Sequence, residues 1–151
     1  AQYAVFQNGQ FIYTEQALSA AELNVLAQLY MPLEVNTSAG AKVILANQSE
    51  EAREQYLAGV TLHKRTARTI DDMDALRREL ALTKKRGYGM DDEEFTAGVG
   101  CMAVPVFDGE GQCAAALGVT GYIEEYRNPE NFEYIKRCLF EAAEVLSEKL
   151  N

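Results

Sequence analysis

Few residues in this chain are equipped for covalent chemistry, and their spacing narrows the options. There is one histidine, His63, and there are three cysteines, Cys101, Cys113 and Cys138. His63 lies among Lys64, Arg65 and Arg68 with no carboxylate beside it in sequence. A nucleophile–histidine pair therefore has no local support, and a surface position is the plainer reading. The cysteine count is odd, the gaps are wide and no CxxC occurs, which removes zinc-finger and dithiol readings and fits free thiols in a reducing compartment. Asp91-Asp92-Glu93-Glu94 offers oxygen ligands to a hard cation. Four adjacent acids cannot converge on one ion, so a turn whose carboxylates take backbone N–H groups competes with that reading. No glycine motif that cradles phosphates is present. The more informative group is small and polar. Ser38-Ala39-Gly40 reads as the start of a helix, whose free N–H groups and dipole favour an anion. Thr120 and Cys101 fall on strands that are expected to pair and can share a face, and hydroxyl, thiol and N–H groups together suit a carboxylate ligand. The plainer role for Cys101 is packing, since free cysteine is among the most buried residue types.

The elements that must position these groups can be read from pattern. Tyr3 to Val5 and Phe11 to Tyr13 flank Asn8-Gly9, the strongest short signal for a type I′ hairpin. Residues 15–30 fit either a helix lined by Leu18, Leu23, Leu26 and Leu29 or a third strand through Leu23-Asn24-Val25-Leu26, and Pro32 ends whichever forms. Small polar residues then lead into Val43-Ile44-Leu45-Ala46. Ser49 caps a short helix that closes at Gly59, and Asp71 or Asp72 starts a longer one with the stripe Met73, Leu76 and Leu80, ended by Gly87. Val99–Phe107 and Cys113–Thr120 read as two strands around an Asp108–Gln112 turn, with Pro105 marking an edge or a bulge. Asn128 caps a final helix with Pro129 in its first turn and an apolar face of Phe132, Ile135, Leu139, Ala142, Leu146 and Leu150. Strand hairpins interleaved with helices predict an α+β domain built on an antiparallel sheet.

The chain has 151 residues, 48% of them hydrophobic and 25% charged, enough for one ordered domain with a sizeable core. Its 14 Lys and Arg against 23 Asp and Glu give a net charge of −9, which opposes binding to duplex nucleic acid. The densest basic stretch, Lys84-Lys85-Arg86 after Arg77-Arg78, reads as a solvated helix end. There is no run of 18 apolar residues to span a membrane and no signal-peptide pattern. The chain starts without Met inside an apparent strand, so a fragment of a longer protein is expected.

Two stretches then match a known pattern. Gly87-Tyr88-Gly89-Met90-Asp91-Asp92-Glu93-Glu94 and Gly98-Val99-Gly100-Cys101-Met102-Ala103-Val104-Pro105-Val106-Phe107-Asp108 resemble the IclR-family effector-binding domain. Met31-Pro32-Leu33 with Lys42-Val43-Ile44-Leu45-Ala46, Thr66-Ala67-Arg68-Thr69-Ile70, and Ala115-Ala116-Leu117-Gly118-Val119-Thr120-Gly121 agree in order, so the resemblance covers nearly the whole chain. It implies a GAF-like antiparallel sheet with flanking helices over residues 1–151, without the N-terminal winged helix-turn-helix domain that contacts DNA. It further implies a cytoplasmic transcription regulator, not an enzyme, that needs no cofactor or metal and senses a small carboxylate or sugar acid. Homodimers or tetramers through the sensor domains, with no membrane partner, belong to the same expectation. Carried over by position, the effector contacts fall on Ala39, Gly40, Asp91, Cys101, Gly118 and Thr120, with Val99 and Leu117 as apolar wall. Gly118 stands where the family has a serine, which implies one hydroxyl less and more room. Two further readings remain. One is a cysteine-dependent enzyme on a GAF-like fold, with Cys101 reactive and Cys113 one strand away as its partner. The other is a pure dimerisation module.

Overall fold

A computed structural model describes residues 1–21 and 24–151. Asn8 and Gly9 adopt the positive φ angles, 53° and 76°, of the expected turn, and join β1 (Gln2–Gln7) to β2 (Gln10–Gln16). β3 (Gly89–Asp92), β4 (Val99–Phe107) and β5 (Cys113–Tyr122) complete a five-stranded sheet in the order β2-β1-β5-β4-β3, antiparallel at every pairing. β3 reaches only as far as Ala103 on β4. Pro105 therefore sits where β4 has no neighbour on that side, one residue from a register shift at Val106/Phe107. Both sites suit a residue without an N–H.

Helices cover both faces, giving the expected α+β class. On one side lie α1 (Ala39–Ala46), α2 (Glu50–Ala58) and α3 (Met73–Arg86), around a core that includes Phe11, Val35, Ile44, Leu57, Leu76 and Leu80. On the other lie α4 (Ile123–Arg127) and α5 (Pro129–Lys149), over Met102, Val104, Val106 and Ala115. Ser38, Ser49, Asp72 and Asn128 each cap a helix by accepting an N–H from its first turn. Gly87 closes α3 at φ 85°, behind three cations that suit that end of the helix dipole.

The structure departs from the sequence pattern in several places. Among the described residues, nothing between Ala17 and Pro32 forms the proposed helix or third strand, and Leu23 lies outside them. Residues 27–33 instead run along the free edge of β2, where Tyr30 N–H donates to Tyr13 O at 2.9 Å and Leu33 N–H to Phe11 O at 2.8 Å. On α5 the inward face takes Leu139 and Ala143, while Ala142 and Leu150 point to solvent. The four-residue step from Leu139 stays nearer the buried stripe than the three-residue step does. β3 and the five-residue α4 were not anticipated. α4 is too short to show a period, and it is held by Ile123 and Tyr126 packed over Gly100, where a Cβ would come within 2.9 Å of Ile123 Cδ1.

The outer rim of β3 is already occupied. Arg86 Nε donates to Tyr88 O at 2.8 Å, Lys42 Nζ to Met90 O at 2.7 Å, and Arg68 Nε to Asp92 O at 3.2 Å, while Asp92 N–H donates to Glu94 Oε1 at 3.0 Å.

Candidate functional site

Register alone brings most of the expected residues together. Asp91 on β3 pairs with Cys101 on β4, and Cys101 pairs with Thr120 on β5. One step along β5, Gly118 pairs with Gln2 on β1, and a further step on, Ala116 pairs with Ala4, itself opposite Tyr13 on β2. Directly opposed residues share a face and alternate residues return to it. Tyr13, Gln2, Thr120, Cys101 and Asp91, one polar side chain from each strand, therefore stand on the face that α1 covers. Val99 shares it by alternation. Leu117 does not: its side chain packs in the opposite core with Val119, Met102 and Val104, beneath α5. The same period-two rule that aligns Gly118 with Thr120 turns Leu117 away, so it is not a wall on this face.

α1 brings its first turn onto the sheet beside this row. All eight of its residues are buried, which requires small residues where it touches the strands. A Cβ on Gly40 would lie 3.1 Å from Ala4 Cβ, and one on Gly89 would lie 2.7 Å from Ala39 O and 2.8 Å from Val43 Cγ2. Ser38 Oγ accepts the Ala41 N–H at 3.2 Å, and Ser38 O accepts that of Lys42 at 3.0 Å. The N–H groups of Ala39 and Gly40 have no acceptor among the described residues, as expected for the first turn of a helix. They are a ready donor pair for an anion.

Burial sets the electrostatics of the row. It pushes the Asp91 carboxyl up to about 6, against the pull of the Glu94 and Phe95 N–H groups that donate to its Oδ1 at 2.8 and 3.3 Å. It pushes the Cys101 thiol up to about 12 and raises the Tyr13 phenol as well. Gly118 offers less room than its missing side chain suggests. A Cβ there would meet Met102 O at 3.1 Å, and Ala103 Cβ and Cys101 Sγ at 3.3 Å each, so neighbouring atoms already fill the gap.

The cysteine reading loses its chemical basis. A reactive thiol needs a lowered pKa, and that of Cys101 is raised. Cys113 faces Phe107, at the far end of the β4–β5 hairpin from the Cys101–Thr120 pair. Six residues of strand separate them, about 20 Å, well beyond the Cα span of a disulfide. Cys138 is exposed on α5. His63 is exposed, and its Nδ1 lies 3.0 Å from Glu34 Oε1, a carboxylate that Arg65 also holds.

The acidic run, the end of β3 and the bend that follows it, is tied down on all sides. Lys42, fully buried in α1, donates to both carboxylate oxygens of Glu94 at 2.7 Å. Thr69 Oγ1 donates to Glu94 O at 2.6 Å, and Thr66 Oγ1 to Glu93 O at 2.6 Å. Asp92 is shared by Arg68 and Arg127 at 2.6 Å each. Two surface clefts, of about 520 and 400 Å³, lie elsewhere, one along β3, α4 and α5 and the other between α1, α2 and α3. Neither includes Asp91, Cys101 or Thr120 in its walls. Sequence reasoning missed Gln2 and Tyr13. The only signal for Gln2 was a polar side chain in phase with an inward-facing alanine two residues on.

Comparison with known proteins places this geometry in context. Residues 1–148 match the family described as bacterial transcriptional regulator IclR C-terminal. The chain is 29% identical over 139 residues to the HTH-type transcriptional regulator KdgR of Dickeya chrysanthemi, covering 92% of this chain and 45% of that protein. It is 34% identical over 113 residues to the transcriptional repressor IclR of Escherichia coli, covering 75% and 41% respectively. A crystal structure of the Thermotoga maritima IclR superposes with a TM-score of 0.89 at 30% identity, over 99% of this chain and 60% of that one. The chain thus spans about half the length of the curated relatives it matches.

Proposed function

The chain belongs to the IclR C-terminal family of bacterial transcriptional regulators, and on that premise we propose that its five-strand polar row is the site where a small carboxylate or sugar-acid effector binds. The observation that carries this reading is the meeting of the row with the buried first turn of α1. Two N–H groups and a helix dipole receive the charge, while Thr120, Asp91 and Cys101 line the approach. Ala39, Gly40, Asp91, Val99, Cys101, Gly118 and Thr120 form the contact set, and Leu117 is left out of it. The chain is a non-catalytic effector-binding domain of residues 1–151. Its regulator contacts DNA through a separate N-terminal winged helix-turn-helix domain, assembles through its sensor domains as a dimer or tetramer, and works in the cytoplasm. Among the described residues no helix is long and apolar enough to cross a membrane. The effector acts by preferring one arrangement of the assembled sensors, and it can shift the balance only by its difference in affinity for the two states.

The test is a thermal-shift and calorimetric screen of this chain against small carboxylates, sugar acids and aromatic acids. A ligand at 100 times its Kd stabilises the native state by about 2.7 kcal/mol, a shift that is easily read. Saturable binding that Asp91→Ala and Thr120→Val both weaken supports the site. Binding that neither change weakens places the effector elsewhere.

A further inference from the structure

The polar row contains a side-chain amide with spare donors, and it comes from the first strand. Gln2 is only 3% exposed, although glutamine is mostly a surface residue. It stands directly across from Gly118, which presents no side chain, and its Oε1 accepts the Thr120 hydroxyl at 3.0 Å. A carboxamide carries two further donors on Nε2, and among the described residues nothing accepts from them. Among the described residues the fully buried side-chain atom left without a partner is Thr83 Oγ1, so Nε2, which has no protein acceptor either, keeps contact with open space beside the candidate ligand site, where an acceptor can reach it. The neighbouring pair on the same face, Ala4 and Ala116, is where Gly40 and the first turn of α1 sit. The amide and the free helix N–H groups are therefore about one side-chain repeat apart along the strand, roughly 7 Å.

We propose that Gln2 is a specificity-determining residue of the effector site: its Nε2 donates to a hydroxyl or carbonyl oxygen of an acid whose carboxylate is held at Ala39 and Gly40. The inference rests on the effector reading above and adds a rule of selection to it. The site prefers an acid bearing an oxygen acceptor a few bonds from the carboxylate over its deoxygenated analogue. Thr120 orients the amide by donating to Oε1, which leaves both Nε2 hydrogens for the ligand.

The experiment uses matched acids as probes: lactate against propionate, gluconate against hexanoate, and 3-hydroxybenzoate against benzoate. Wild type is compared with Gln2→Met, near in size but without donors, by calorimetry and thermal shift. The expected result is a preference for the oxygenated member of at least one pair that falls about tenfold in Gln2→Met, the weight of one hydrogen bond, with the melting temperature of the free protein unchanged or raised. A preference that Gln2→Met retains in full overturns the role of Gln2 and leaves the effector site standing. A lowered melting temperature with unchanged selectivity shows that the amide only braces Thr120, and also overturns it. A panel in which no acid stabilises wild type defeats the effector reading itself and the assignment of Gln2 with it. Gln2→Leu is the second variant, and failure of both to fold makes the amide part of the core and overturns the proposal.

Discussion

Asp91 shows how a single group ties the site to solution conditions. Its folded-state pKa of about 6 stands above its ordinary value of 3.8 because burial disfavours the charge. The native state therefore holds this proton more tightly than the unfolded chain does. Its contribution to stability is greatest below pH 4 and is lost as pH rises through 6, by at most about 3 kcal/mol. Asp91→Asn keeps an oxygen for the two N–H donors, and urea unfolding at pH 4.5 and pH 7.5 should show that part of the pH dependence gone. On the proposed function a carboxylate ligand meets the same group, so its Kd should climb with pH above 6, approaching tenfold per unit, and flatten in Asp91→Asn. Cys101 gives the opposite kind of prediction. With a thiol pKa of about 12 and 4% exposure, it should resist alkylation of the native protein at pH 8, while exposed Cys138 reacts. Labelling followed by peptide mass analysis checks this, and fast modification of Cys101 would restore the case for a reactive thiol.

Among the elements, α1 is the one whose placement leaves least freedom, because backbone rather than flexible side chain meets it at Gly89. Gly89→Ala should cost about 1–3 kcal/mol by overpacking. It should also weaken effector binding, since the same shift moves Ala39, and chemical denaturation with calorimetry measures both. Much of this scaffold was legible beforehand. The Asn8-Gly9 hairpin, the capped α2, α3 and α5, and the β4–β5 pair each carried a local signal of turn chemistry, capping or period. The remainder depended on tertiary context. α4 has no period of its own, and β3 is a strand only because β4 offers it a partner. Residues 27–33 lie along β2 because that edge is open, despite leucines spaced for a helix. Within the candidate site, the pattern put Thr120 and Cys101 on paired strands, resemblance added Asp91, and the register sets the three side by side. Leu117 was misplaced although alternation alone separates it from Gly118. Gln2 could not be recognised until β1 was known to lie beside β5.

For the whole molecule the main question is how one sheet is held between two helical layers. The buried Lys42–Glu94 pair joins α1 to the β3–β4 turn, and it is stable only while both charges are present. Lys42→Met should cost about 3–5 kcal/mol because it strands a buried carboxylate, and adding Glu94→Leu should recover part of that. Denaturation midpoints of the single and double variants decide it. The same ammonium fills one place along the rim of β3, as Arg86 and Arg68 fill others, and residues 30–33 run beside β2 at the opposite margin. Along β3 and beside residues 30–33 the ladder is covered against a foreign strand, while the outer edge of β4 past Ala103 relies on Pro105, which has no N–H to offer. Fibril growth by strand templating is thus hindered at these two margins. Lys42→Met combined with Arg68→Ala unblocks one margin, and the variant should seed thioflavin-positive fibrils under agitation that leaves the wild type clear.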